Sequence, residues 1–136
     1  MKINPYLFFK GNCEEAFKVY AEVFGGQIVA MMPHKGSPAE AHTPAEWQSK
    51  IMHAALRLGE QTLMASDAPP AHQTPMSGFS VSVDLPTPAD VERAFAKLSQ
   101  GGTVTMPVSE TFFAKSFGML TDRFGVPWMI ICPKPM

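Results

Sequence analysis

Apolar residues recur at helical spacing in one segment near the N-terminus. The residues that lie three or four positions apart there are Phe17, Tyr20 and Phe24. Asn12 precedes this segment and Glu15 follows three residues later, which is the pattern of a capping box. Gly25-Gly26 comes next, and glycine favours the left-handed conformation that ends many helices. The pattern predicts a helix between Asn12 and Gly25.

A second segment repeats this plan in the other half of the chain. Thr87 is placed to cap a helix, Pro88 suits the first helical position, and Asp90 stands three residues after Thr87. The apolar residues at helical spacing are Val91, Ala94, Phe95 and Leu98. Gly101-Gly102 then ends the segment as the first glycine pair does. The pattern predicts a second helix with the same kinds of residue at its start and at its end.

Short apolar and β-branched runs flank both helices and predict strands. The predicted strands are residues 6–9, 27–32, 51–58 and 61–66 in the first half, and 79–83, 103–106, 117–122 and 127–132 in the second. Glycine turns at Gly59-Glu60 and at Phe124-Gly125-Val126 separate the last two strands of each half, as in hairpins. The predicted fold is α+β, with tandem β-α-β-β-β modules at residues 1–67 and 78–133 joined by loop 68–77 in a single domain.

A β-α-β-β-β module leaves one face of its sheet without a covering element. Two such sheets, curved and mixed, can enclose an apolar cleft, either within the chain or across a dimer. An apolar half-cleft favours a twofold partner, so a homodimer is predicted. The segment 35–49 is rich in Pro, Ala and His without periodicity, and is predicted to be a loop long enough to act as a flap over a cavity.

Composition narrows the class of protein. A net charge of −1 argues against nucleic acid, which needs a basic face, and the longest apolar run, residues 126–132, is too short for a membrane span. The N-terminus offers Lys2 and no signal-peptide pattern. Cys13 and Cys132 lack C-x-x-C spacing, which favours free thiols in a reducing compartment. A cytoplasmic protein without nucleic-acid or membrane partners is expected. The ten Met and ten Phe fit a plastic core or an adaptable apolar cavity.

Six stretches carry a family resemblance: residues 4–9, 11–16, 23–26, 51–56, 63–67 and 117–128. They resemble the PhnB-like (demethylubiquinone-methyltransferase-like) branch of the vicinal-oxygen-chelate, or glyoxalase/bleomycin-resistance/dioxygenase, superfamily. The resemblance implies paired modules around a small-molecule cleft and a dimer. It also implies, for many members, a divalent metal held by His, Glu or Gln from four strands.

The metal positions implied by this resemblance hold unsuitable side chains. They correspond to Pro5, Ala55, Gly78 or Phe79, and Met129, none of which binds a hard divalent ion. The usual metal centre is therefore predicted to be absent, and no cofactor is expected. No binding site for a nucleotide-like cofactor is evident either, because no G-x-G loop follows a predicted strand.

His53 is the candidate for chemistry. It lies two positions before Ala55, so both residues share one face of a strand, and Arg57 is the other ionisable residue expected there. His53 fits a ligand-contacting or proton-transferring role, because imidazole exchanges protons near neutral pH. A hydrogen-bonded structural histidine, an exposed histidine and a ligand of an altered metal set stay open.

The residues predicted to contact a ligand are Phe9, Trp47, His53, Ser80, Phe113 and Met129. A core or interface role is the alternative for Trp47 and Phe113, and Asp67 and Asp122 are expected to cap turns. The predicted function is binding of a small apolar or aromatic molecule without the usual metal. The alternative is a lyase, isomerase or dioxygenase acting on a small oxygenated substrate, with His53 as acid/base or metal ligand. A third possibility is a domain whose dimer interface is its main feature.

Overall fold

Two units of the same design make up the computed structural model, which describes residues 1–135. The first unit, Met1–Thr74, contains β1 (Tyr6–Phe9), α1 (Cys13–Phe24), β2 (Gln27–Pro33), β3 (Ile51–Leu58) and β4 (Gln61–Asp67). The second unit begins at Pro75 and contains β5 (Val81–Asp84), α2 (Pro88–Ser99), β6 (Thr103–Ser109), β7 (Ala114–Thr121) and β8 (Pro127–Pro133). The predicted fold class, α+β with tandem β-α-β-β-β modules, is confirmed.

The sheets of the two units have equivalent topologies. The strand orders are β1-β4-β3-β2 and β5-β8-β7-β6. In each sheet the first strand pairs in parallel with the last, and the other pairs are antiparallel. Both second strands carry an irregularity at the same place, between Ile28 and Ala30 in β2 and between Val104 and Met106 in β6. The repeat therefore extends to local deviations from regular pairing.

One face of the first sheet lies under α1. Side chains alternate across a strand, so every second residue faces the helix. The strand residues buried on this side include Leu7, Phe9, Leu56 and Leu63, all 4% exposed or less. Phe17 of α1 packs edge-on against Phe9, with ring centroids 6.2 Å apart. The core of the first unit is this helix–sheet layer.

The second sheet is covered by α2 in the same way. Trp128 and Ile130 of β8 and Leu120 of β7 are almost fully buried, as is Val91 of α2. Gly118 gives α2 room, because a Cβ added there would lie 2.6 Å from Cε2 of Phe95. The second core therefore depends on a glycine in a central strand.

Some element ends differ from the predicted ones. β5 begins at Val81 rather than at residue 79, and β6 continues past residue 106 to Ser109. β7 begins at Ala114 rather than at residue 117, because Ala114 pairs with Pro133 of β8. Pairing between distant strands determines where these strands begin and end, and the local sequence carries no information about that pairing.

The two helices begin differently. Thr87 caps α2 as predicted: its Oγ1 accepts a hydrogen bond from Asp90 N at 3.1 Å and donates to Asp90 Oδ2 at 2.9 Å. Asn12 stands at the N-cap of α1 as predicted, but its side chain makes no capping bond and its Oδ1 is buried without a partner. Asp67, from β4, accepts a hydrogen bond from the N–H of Cys13, the first residue of α1.

No helix within residues 1–135 is long and apolar enough to cross a membrane.

Candidate functional site

The face of the first sheet turned away from α1 is the candidate site, and is called the open face below. Strand register and alternation assign to it Tyr6, Phe8, Gln27, Ala30, Met32, His53, Ala55, Arg57, Thr62, Met64 and Ser66. Large apolar residues on it reach solvent: Phe8 is 55% exposed and Met32 is 45% exposed. Grouped exposed apolar side chains are a common feature of surfaces that contact other molecules, which makes this face a candidate.

Tyr6 and His53 form a polar pair on the open face. Their side chains meet through a hydrogen bond of 3.0 Å between Tyr6 Oη and His53 Nδ1. The rings also stack, with centroids 5.7 Å apart and planes 29° apart, and Phe8 lies against Tyr6 at 5.2 Å. In one tautomer the phenol donates to Nδ1, and in the other Nδ1–H donates to the phenol oxygen. The hydrogen bond can therefore form with either neutral tautomer of His53, and its direction depends on which ring nitrogen carries the proton.

Tyr6 and Phe8 are functional candidates that sequence reasoning missed. In β1 large apolar residues stand on both faces, so alternation alone did not show which pair faces α1. The parallel pairing of Phe9 with Asp67 decides it, because the Asp67 carboxylate turns toward the start of α1. Phe9 is 1% exposed and packs on Phe17, so its predicted contact with a ligand does not agree with its position. Phe8 occupies the exposed place instead.

Trp47 lies in a short 3₁₀ turn, Ala45–Trp47, within the segment predicted to be a flap. It is half-buried and covers the turn before α1: its ring stands 3.1 Å from the Cβ position of Gly11. Lys50 Nζ lies 5.9 Å from the Trp47 ring centroid and donates to Gly11 O at 3.0 Å. These contacts hold the segment on the β1–α1 turn. A ligand contact of Trp47 stays a prediction.

Three predicted ligand residues belong to the second unit. Met129 lies on the helix-free face of its sheet, where it pairs with Met119 and with Ser82. Ser80 is half-buried and directly precedes β5. Phe113 precedes β7 and packs edge-on against Phe117 at 5.2 Å. Contact of these residues with a ligand stays a prediction.

Asp67 organises the end of the first unit beside the open face. Its Oδ1 accepts hydrogen bonds from Gly11 N and Cys13 N, both at 3.0 Å, and its Oδ2 accepts one from Ile51 N at 2.9 Å. The carboxylate is 2% exposed. It therefore joins β4, the turn before α1 and the first residue of β3, the strand that carries His53. The predicted turn-capping role is confirmed for Asp67. It is also confirmed for Asp122, whose Oδ1 accepts from Phe124 N and Val126 N.

Burial raises the pKa of the Cys13 thiol to about 12, and the nearby carboxylates of Asp67 and Glu14 add to the rise. The thiolate is disfavoured because its charge would sit in an apolar layer beside other negative charges. Cys13 is fully buried and free. It is therefore a structural thiol and not a nucleophile of the site.

This shifted pKa predicts a stability that falls at alkaline pH. The folded chain holds the Cys13 proton more tightly than the unfolded chain does, so the stability that this thiol contributes is fully present below about pH 9 and is lost as pH rises toward 12. The slope contributed by this one thiol is at most roughly 1.4 kcal/mol per pH unit. Urea unfolding from pH 8 to 11 is expected to show this part of the slope in the wild type and in Cys132→Ala. Cys13→Ala should lack it, and equal slopes in all three proteins would refute the assignment.

The residues at the positions of the superfamily metal centre do not fit a hard divalent ion. Ala55 lies on the open face and Met129 on the helix-free face of the second sheet, but neither carries an oxygen or nitrogen donor. Within residues 1–135, no group of three or more His, Cys, Asp or Glu is placed to hold a metal.

The fold places the chain in a broad class of proteins. Tandem β-α-β-β-β modules with mixed four-stranded sheets are the architecture of the glyoxalase/bleomycin-resistance class. A glyoxylase/bleomycin resistance protein/dioxygenase domain from Frankia sp. EAN1pec shares it, with a TM-score of 0.67 at 12% identity over 98% of each chain. The predicted glyoxalase/bleomycin-resistance-like fold is therefore confirmed.

Closer relatives identify the family. Protein YjdN of Escherichia coli (strain K12) is 35% identical over 138 residues, which cover 96% of this chain and 94% of YjdN. The crystal structure of PA1353 from Pseudomonas aeruginosa matches with a TM-score of 0.89 and 49% identity over 97% of each chain. The PhnB protein from Bacillus cereus matches with a TM-score of 0.82 and 28% identity, over 97% of this chain and 99% of that one. A family model described as 3-demethylubiquinone-9 3-methyltransferase covers residues 1–131. The chain belongs to this PhnB-like family.

Proposed function

We propose that this chain is a small-molecule-binding protein and that an apolar or aromatic ligand rests on the open face of the first sheet. The hydrogen bond between Tyr6 and His53, set among exposed apolar side chains, carries the proposal. Ligand sites are mostly apolar with a few polar groups that fix orientation. The open face has this combination where Phe8, Met32 and Met64 lie near the Tyr6–His53 pair.

The methionines of this face favour a ligand without one fixed shape. Met side chains are flexible and polarisable, and they adapt to flat or irregular apolar partners. Phe8 and Tyr6 add rigid aromatic surface beside them, with ring centroids 5.2 Å apart. An aromatic ring can therefore stack on this surface while a polar substituent bonds to His53 or Tyr6.

We also propose that the protein acts as a homodimer in the cytoplasm. The support is the apolar surface left exposed on the helix-free faces, including Phe8, Met32 and Met106. A second copy that covered part of these faces would remove apolar area from water. It would also exclude water around a bound ligand.

The Tyr6–His53 pair favours a second candidate function, proton transfer to or from a bound substrate. A phenol and an imidazole joined by a hydrogen bond can act together as acid and base. Such chemistry fits the isomerase or lyase type and uses only this chain's own side chains. In that case Tyr6 sets the tautomer of His53, and the free ring nitrogen of His53 faces the substrate.

The binding proposal is tested with phenylnaphthylamine, a neutral aromatic probe that fluoresces when it leaves water. Wild-type protein is expected to bind it, and Phe8→Ser to weaken binding about tenfold, because the loss of one aromatic contact costs about 1 to 1.5 kcal/mol. His53→Ala is expected to weaken binding about fivefold, with Tyr6→Phe closer to the wild type. Light scattering on the same samples reports the subunit number.

Ile3→Ser is the matched control, because Ile3 is an exposed apolar residue that precedes β1. Its affinity for the probe should equal that of the wild type. If Phe8→Ser and His53→Ala bind phenylnaphthylamine as tightly as Ile3→Ser does, the open face is not the binding site.

A further inference from the structure

The pairs between β2 and β3 form three rungs across the open face. Met32 faces His53, Ala30 faces Ala55, and Gln27 faces Arg57. The middle rung has methyl groups only, whereas the rungs on either side carry long side chains. The open face therefore has a shallow floor at Ala30 and Ala55, bounded by His53 at one end and Arg57 at the other.

The size of this floor follows from strand geometry. Residues two positions apart on a strand are about 6.6 Å apart, so the backbones of His53 and Arg57 are separated by about 13 Å. One or two fused rings fit within that span. The row continues sideways from Ala55 to Met64 and Tyr6, which supply apolar and aromatic contacts.

The charge on the open face has one sign. Its two ionisable groups, apart from the Tyr6 phenol, are His53 and Arg57, and no Asp or Glu stands among its residues. Arg57 Nη2 donates to Gln27 Oε1 at 2.8 Å, so a neutral amide holds the guanidinium in place. In the described part of the chain Arg57 has no carboxylate partner within salt-bridge distance.

We propose that the ligand of the open face is a small organic acid whose anionic group binds Arg57 while its apolar body lies on the floor of Ala30 and Ala55. This inference rests on the proposed binding function and narrows its ligand class. A guanidinium presents paired N–H donors that match a carboxylate, sulfonate or phosphate in a bidentate geometry. His53 then contacts the opposite end of the same ligand.

Two fluorescent probes with one framework test the charge preference. Anilinonaphthalene sulfonate is an anion, and phenylnaphthylamine is the same framework without the sulfonate. Arg57→Gln is expected to weaken binding of the sulfonate about tenfold and to leave binding of the neutral probe within about twofold. Arg57→Lys, which keeps the charge without the paired donors, should lie between the wild type and Arg57→Gln. Added salt should weaken only the sulfonate.

Arg93→Gln is the matched control, because Arg93 is an exposed arginine on α2 with an ion pair to Asp90 at 3.2 Å. It should bind both probes as the wild type does. Arg57→Gln that weakens both probes equally, or neither, would overturn the organic-acid proposal while leaving the binding site in place. If the neutral probe fails to bind the wild type or is insensitive to Phe8→Ser, the proposed binding function itself fails. The salt dependence of sulfonate binding to the wild type also tests the charge preference, and this measurement does not depend on the folding of any variant.

Discussion

Asp67→Ala is expected to lower the free energy of unfolding by roughly 3 to 5 kcal/mol, since it leaves three N–H donors without an acceptor, two of them buried and one half-buried. The donors belong to Gly11, Cys13 and Ile51, at 2.9 to 3.0 Å from the two carboxylate oxygens. Water cannot replace the carboxylate without opening the turn, because the site is 2% exposed. The loss is a large share of the stability of a domain of this size.

The measurement is urea unfolding at pH 7, followed by circular dichroism. Asp67→Asn should lie between the wild type and Asp67→Ala, because one amide oxygen can serve Gly11 and Cys13 while its NH₂ group meets the N–H of Ile51. Asp84→Ala removes an exposed carboxylate from the end of β5 and should change stability by less than about 0.5 kcal/mol. An Asp67→Ala protein within about 1 kcal/mol of the wild type would show that the carboxylate is not the organising group.

The start of α1 shows where sequence reasoning reaches its limit. The Asn12 and Glu15 pattern is a local signal, but the bond to Cys13 N comes from Asp67, which is 54 positions away. For α2, the local pattern was sufficient because Thr87 and Asp90 bond to each other. Capping can be predicted where the partners are neighbours in sequence. It cannot be predicted where the bonding partner is a residue at the end of a strand that is distant in sequence.

The same limit applies to the candidate site: relations between residues close in sequence could be predicted, and contacts between distant strands could not. The sequence placed His53 and Ala55 on one face, because that inference needs only the two-residue period of a strand. The partner of His53 is Tyr6, 47 positions away, and their contact follows from β4 lying between β1 and β3. Phe9 was placed among the predicted ligand contacts, but it is buried on the side of α1, and that position could not be predicted for a related reason. Phe8 and Phe9 are both large aromatic residues, and only the pairing of Phe9 with Asp67 shows which of them faces α1.

The glycine pairs after both helices were predicted as helix ends, but the two glycines of each pair have different structural roles. Gly25 and Gly101 have φ angles of +70° and +73°, so they take the left-handed conformation. Their neighbours have ordinary φ angles but no room for a side chain. A Cβ on Gly26 would lie 2.9 Å from Arg57 O, and a Cβ on Gly102 would collide with Thr121 O. Arg57 and Thr121 occupy equivalent places in β3 and β7, so each helix returns to its sheet by the same close approach.

Gly102→Ala is therefore expected to destabilise the protein by roughly 2 to 4 kcal/mol, toward the upper end of what overpacking costs. The added methyl group meets backbone, with Asp122 Cα at 3.0 Å as well as the Thr121 carbonyl, and backbone of a central strand cannot move aside as a side chain can. Gly101→Ala is the matched control. Its Cβ would stand 3.4 Å from Arg123, so its cost is the left-handed conformation alone, about 1 to 2 kcal/mol. Urea unfolding of both variants measures which of the two loses more stability. If Gly101→Ala were the more damaging of the two, the second glycine would serve the turn rather than the contact between β6 and β7.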